Sequence, residues 1–290
     1  MNKINFYLPN FQRDNGLNLT IIKTLRQHPE YFYNNIKIGA VYDCFYGAVW
    51  SGGKNFYGIN TKSEIEEIIH MYNELNIPLR FTFTNSLLEK KHLYDTYCNL
   101  IMESANNGLN EVLVNSPILE EYLRKEYPNF KIISSTTKCE RDINKINKEN
   151  NKYFLTVIDY NDNHNWELLN KIKQKDKIEL LVNAYCPPNC PNRKAHYDDV
   201  SKAQLIFQPN YTNFECNKST GNFSTIKTYE NFISQEELYG KYFLKGFCHF
   251  KIEGRRVHLA NVIESYIYYL IKPEYKNEFR NELLVNCWEY

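Results

Sequence analysis

Ile178-Glu179-Leu180-Leu181-Val182-Asn183 is the stretch on which the fold turns. Its apolar residues are nearly continuous rather than strictly alternating, which is how a strand reads when other structure covers both of its faces. Val112-Leu113-Val114 has the same character, and six further short, β-branched runs share it more loosely. In chain order the eight runs are 4–8, 37–43, 79–84, 111–115, 131–135, 153–159, 178–183 and 249–253. Segments with helical periodicity lie between them, the pattern of βα units around a parallel sheet. Thr61 with Glu64 and Ser234 with Glu237 have the spacing of capping boxes, and Pro117 suits the first position of a helix. Eight strands in 290 residues predict a TIM-like (β/α)8 barrel, one domain spanning 1–290, with a doubly wound open sheet as the rival.

The regularity breaks between the seventh and eighth runs. The connection 184–248 is far longer than a usual βα loop, so it is expected to carry function or extra structure. It contains Cys186-Pro187-Pro188-Asn189-Cys190-Pro191-Asn192-Arg193, then Cys216.

Composition removes several function classes. Lys and Arg number 35 against 34 Asp and Glu, so a net charge of +1 gives no general attraction to nucleic acid or an acidic membrane. The first residues lack the apolar core of a signal peptide, and no apolar run approaches a membrane span. The expectation is a soluble, cytoplasmic protein with no membrane partner. In that reducing setting the eight cysteines are expected to be core residues, metal ligands or catalytic thiols rather than disulfides.

Barrel chemistry collects at the carboxyl ends of the strands, and this sorts the cysteines. Cys44, Cys139 and Cys186 follow strands two, five and seven, Cys190 is four residues beyond Cys186, and Cys216 shares the same connection. These five can converge at one end. Cys98 falls within a helix, Cys248 precedes strand eight and Cys287 is near the carboxyl terminus, so those three read as structural. Thiolates in fours suit either a structural zinc or an iron–sulfur cluster, and spacing does not separate the two. The Cys-x3-Cys pair also opens like the radical S-adenosylmethionine signature, but Arg193 stands where its third cysteine belongs, which disfavours that reading. No His-Glu-x-x-His, Gly-x-Ser-x-Gly, P-loop or Gly-x-Gly-x-x-Gly sequence is present. Among the seven histidines, His196 lies closest after the cysteine pair and is the candidate functional one.

Two stretches carry a resemblance. Glu179-Leu180-Leu181-Val182-Asn183-Ala184-Tyr185-Cys186, running to Cys190 and Arg193, resembles the signature region of the collagenase-like peptidase family U-32. Lys251-Ile252-Glu253-Gly254-Arg255 looks like that family's marker at the last barrel strand. In length the chain is similar to the short UbiU- and UbiV-like members, which bind a [4Fe-4S] cluster through four cysteines and act in oxygen-independent hydroxylation. By motif, Cys186, Cys190 and Cys216 match the cysteine-bearing loop. Where UbiU-like members have a further cysteine, this chain reads Asn231-Phe232-Ile233-Ser234. Cys139 is the preferred fourth ligand, because the Ser134-Ser135-Thr136-Thr137-Lys138 turn offers hydroxyls and amides to cluster sulfurs; Cys44 is the alternative.

The resemblance implies an iron–sulfur protein that catalyses or assists an oxygen-independent modification, such as hydroxylation of a small molecule or an RNA base. Glu253 is the candidate acid or base, with Arg255 gripping a carboxylate or phosphate. An alternative is a collagenase-like peptidase that uses a metal, or Cys186 or Cys190 paired with His196. A further alternative is a non-catalytic metal-binding subunit in a heterodimer with a related protein.

Overall fold

In the computed structural model, residues 3–52, 58–208, 222–254 and 257–286 are described. Each apolar run forms a strand. The elements follow as β1 (Ile4–Pro9), α1 (Asn15–Gln27), β2 (Ile36–Asp43), α2 (Lys62–Asn73), β3 (Leu79–Phe83), α3 (Thr96–Ser104), β4 (Glu111–Val114), α4 (Pro117–Glu126), β5 (Lys131–Ser134) and α5 (Ile143–Lys152). Next come β6 (Leu155–Val157), α6 (Trp166–Lys171), β7 (Ile178–Leu181), α7 (Arg193–Leu205), α8 (Phe223–Ile226), α9 (Gln235–Glu237), β8 (His249–Lys251), α10 (Leu259–Leu270) and α11 (Lys276–Asn286). Every strand pairs in parallel with its successor and β8 returns to β1, which closes the barrel. The (β/α)8 expectation is the observed architecture, and the open-sheet rival falls.

The near-continuous apolar runs have a direct cause. Phe6, Leu8, Phe81, Val112, Ile132, Leu180 and Phe250 face outward into the core under the helices. Their neighbours Tyr7, Ala40, Tyr42, Leu113, Ile133, Leu155 and Val157 form a second core inside the barrel. Both faces are therefore dry, as in other barrels whose lumen is packed rather than open.

The lumen is not wholly apolar. Arg80 on β3 is fully buried, donates from Nε to Glu111 on β4 at 2.8 Å and from Nη1 to Glu179 on β7, and stacks 3.9 Å over the Tyr7 ring. Lys251 on β8 lies 3.9 Å from the other Glu179 oxygen and 3.9 Å over Tyr42. Buried charges of this kind persist only when paired. Gly39 serves this layer: it is the extra residue where the β1–β2 register shifts, and a Cβ there would come within 2.8 Å of Tyr7.

Helix starts agree with the sequence. Thr61 and Glu64 form a reciprocal capping box on α2, Ser234 and Glu237 form another on α9, and Pro117 opens α4. Strand six is shorter than its run, and beyond it the Asp159 carboxylate caps the next turn by accepting the Asn161 amide. The long connection holds α7, α8 and α9. It is stitched to the barrel by Ile233 N donating to Val182 O at 3.0 Å and by the Tyr269 hydroxyl of α10 donating to Ile233 O at 2.8 Å. No helix among the described residues is long and apolar enough to cross a membrane.

Candidate cysteine site at the carboxyl end of the barrel

After β5 the chain makes a tight turn through Thr136–Lys138 that ends on Cys139 in the left-handed conformation, φ +53°. Side chains set this turn from both sides. Asn115, past β4, donates to Thr137 Oγ1 at 2.7 Å, and Thr136 Oγ1 donates to Ile158 O, past β6, at 2.9 Å. A non-glycine residue at positive φ is strained by about 1–2 kcal/mol, so the surrounding bonds hold Cys139 in place against a local cost.

After β7, Asn183 ties the two last strands together: its Oδ1 accepts Glu253 N at 2.6 Å and its Nδ2 donates to Glu253 O at 3.1 Å. Glu253 in turn accepts the Tyr185 amide at 3.0 Å, which places the candidate acid or base beside the cysteine loop. Cys186 packs against Tyr160, Leu181 and Ala184. The loop continues through Asn189, also left-handed, whose amide donates to Asn161 Oδ1 at 3.0 Å and whose Nδ2 reaches Glu230 at 2.7 Å. Cys190 O then accepts Arg193 N at 3.3 Å as α7 begins.

Arg193 is the hub of this end. It is only 5% exposed. Nη1 donates to Asp159 at 2.6 Å, Nε to the Tyr197 hydroxyl at 3.0 Å, and Nη2 to Thr136 Oγ1 at 3.2 Å, while the guanidinium stacks 3.8 Å over Tyr160. One side chain thus joins the ends of β5 and β6 to the start of α7. Burial raises the Cys139 thiol pKa, and the adjacent guanidinium pulls it partly back. Burial also raises Cys186; Tyr160 and Arg193 oppose the shift, and Glu253 and Cys190 reinforce it. Burial pushes Tyr197 up to about 12 against the pull of Arg193.

Of the residues singled out in the sequence, Cys139, Cys186, Cys190 and Glu253 come to this end of the barrel. His196 lies in the first turn of α7, half-buried, with its amide bonded to Asn192 O at 2.8 Å. Cys44 goes elsewhere. It is fully buried in the outer core, and its carbonyl accepts Gln12 Nε2 at 2.9 Å. Cys98 and Cys248 are buried, as structural thiols should be. Cys216, Arg255 and Cys287 lie outside the described residues. Among the described residues, no three His, Cys, Asp or Glu side chains are gathered around a single ion position.

Sequence reasoning passed over Asp159, Tyr160 and Tyr197 and treated Arg193 mainly as a missing cysteine. Asp159 carried a usable signal, since an acidic residue directly after an apolar barrel strand sits at the reactive end. Tyr197 carried another, four residues beyond Arg193 on one helix face.

No protein-family model and no curated protein matches the chain. Among solved structures, the U32 peptidase Mk0906 superimposes with a TM-score of 0.52 at 15% identity, covering 88% of this chain and 94% of that one. The Bacillus cereus spore cortex-lytic enzyme SleL superimposes with a TM-score of 0.45 at 10% identity, over 92% of this chain and 74% of its own. The chain therefore shares the barrel fold of a U32 peptidase.

Proposed function

We propose that this is a U-32-like iron–sulfur protein in which Cys139, Cys186, Cys190 and Cys216 hold a [4Fe-4S] cluster at the carboxyl end of the barrel. The observation that carries the reading is that Arg193 is bonded both to the turn after β5 that bears Cys139, through Thr136 Oγ1, and to the loop after β7 that bears Cys186 and Cys190, through Cys190 O. The donor set fits the group. Thiolates are the usual ligands of such clusters, and each binds a different iron, so they stand farther apart than the four ligands of one tetrahedral zinc. The hydroxyls of the turn before Cys139 are engaged with Asn115, Ile158 and one another, and its amides bond within the turn, so they fix the position of Cys139.

When bound, the cluster supplies one-electron chemistry, in this reading for an oxygen-independent modification such as hydroxylation of a small molecule or an RNA base. The protein's own residues bind and orient the substrate. Glu253, fixed by Asn183 and the Tyr185 amide, takes or gives a proton beside the cysteine loop. His196 on α7 is the second proton carrier, and Arg255 anchors an anionic group of the substrate. A cysteine peptidase using Cys186 or Cys190 with His196 is the second reading.

The test is anaerobic purification followed by iron, sulfide and zinc analysis and a visible spectrum. About four irons and four sulfides per chain support the reading. Zinc alone, or no metal, overturns it.

A further inference from the structure

Helix α7 leaves β7 and reaches the opposite side of the barrel. Its first residue, Arg193, donates to Asp159 after β6 at 2.6 Å and to Thr136 Oγ1 after β5 at 3.2 Å. Two turns on, the helix meets the exit of β3. Asn85 Nδ2 donates to Ser201 O at 3.1 Å, Ser86 N to Ser201 Oγ at 3.2 Å, and Ser86 Oγ to Asp198 at 2.6 Å. In the closed ring β3 stands directly across from β7, so these bonds carry α7 over the carboxyl mouth, with about 12 Å of helix between Arg193 and Ser201.

Polar groups hold the helix there. Arg193, Tyr197, Ser201 and Gln204 recur at helical spacing on one face, and only Val200 and Ala203 add apolar burial among the described residues of α7. The two ends differ in strength. Arg193 combines an ion pair, two further bonds and a stack on Tyr160, whereas the Ser201 end has neutral bonds and one carboxylate. Beyond Ser201, Gln204 is fully buried and its side-chain amide has no partner among the described residues. An unpaired buried amide is a cost that closure imposes at that end and that water relieves on opening.

We propose that α7 is a lid, hinged at Arg193 and released where Ser86 clasps Asp198 and Ser201, that admits molecules to the end of the barrel where Glu253 and Cys186 lie. A segment with few buried apolar contacts opens at a lower free energy than the core, and lids of this kind gate many enzyme sites. The lid acts on access alone, whatever group the cysteines hold.

Two neighbouring amides separate a lid from a fixed plug. Ser86 N donates to α7, whereas Asn85 N donates to Trp50 O at 3.0 Å, within the exit loops of the barrel itself. Amide hydrogen exchange of the full chain is followed residue by residue by NMR in the parent, in Asp198→Ala and in Gln204→Met. In the parent, Ser86 is expected to exchange at least about tenfold faster than Asn85, while amides inside α7 stay protected. Asp198→Ala removes a charge-assisted bond from the clasp and should speed Ser86 about tenfold. Gln204→Met removes the cost of closure and should slow Ser86 by a similar factor, a response that fluctuation of the Ser86 loop alone would not show. If Asp198→Ala does not fold, Gln204→Met carries the test. Equal rates at Ser86 and Asn85, no slowing in Gln204→Met, or exchange inside α7 at the Ser86 rate overturns the lid. None of these rates reads metal content, so the cluster reading stands or falls separately.

Discussion

Arg80 and Glu179, 99 positions apart in sequence, meet inside the barrel, where both side chains are fully buried. Glu111 takes a second arm of the same guanidinium. The lumen of this barrel is therefore closed by an ionic layer as well as by apolar packing.

Removing the Glu179 charge leaves two buried cations, Arg80 and Lys251, with Glu111 as the remaining carboxylate of the layer. Glu179→Gln is expected to cost about 3–5 kcal/mol of unfolding free energy. Glu167→Gln, which breaks the exposed pair with Lys171, should leave stability nearly unchanged. Urea denaturation of the two variants checks the contrast.

His249 joins the same layer, with the Tyr7 hydroxyl 2.6 Å from its Nδ1. Burial, aided by Arg80 and opposed by Glu179, lowers its pKa from 6.5 to about 4. Between those values the unfolded chain binds a proton that the folded chain refuses, so stability falls as pH drops through that window. The loss amounts to about 3 kcal/mol. His249→Gln should show a flatter dependence than the parent when urea midpoints are compared at pH 7 and pH 4.5.

Gly39 has no room for a side chain against Tyr7, whose ring and hydroxyl are both engaged. Gly39→Ala is expected to destabilise the protein by about 1–3 kcal/mol. Gly240→Ala is the control, since nothing lies within 4 Å of its added Cβ and its φ is not positive. Thermal melts should separate the two clearly.

Much of this architecture was legible in the sequence. The eight apolar runs, both capping boxes and the helix start at Pro117 appear where the periodicity put them, because those signals are local. The lumen charges were not legible. Arg80, Glu111, Glu179 and Lys251 stand on four different strands, and nothing local distinguishes a charge that closes a barrel from one on an exposed edge. The cysteine end was partly legible for the same reason. The rule that strand ends carry chemistry picks out Cys139 and Cys186, but it also picks out Cys44, whose side chain turns into the outer core. Only the folded chain shows which way a residue just past a strand faces. Arg193 was visible as a departure from a cysteine motif, and its links to Thr136, Asp159 and Tyr197 depend on three elements coming together.

Cys44 and Cys139 give the sharpest contrast. Cys44→Ser places a hydroxyl in an apolar core and is expected to cost about 1–3 kcal/mol, seen as a lower urea midpoint, without touching the cysteine site. Cys139→Ser changes a half-buried turn residue and should alter stability less.

The central claim is tested most directly by the iron and sulfide content of these two variants beside the parent, all purified without oxygen. The account predicts about four of each per chain in the parent and in Cys44→Ser, with a marked loss in Cys139→Ser. Full iron in Cys139→Ser together with loss in Cys44→Ser would contradict it.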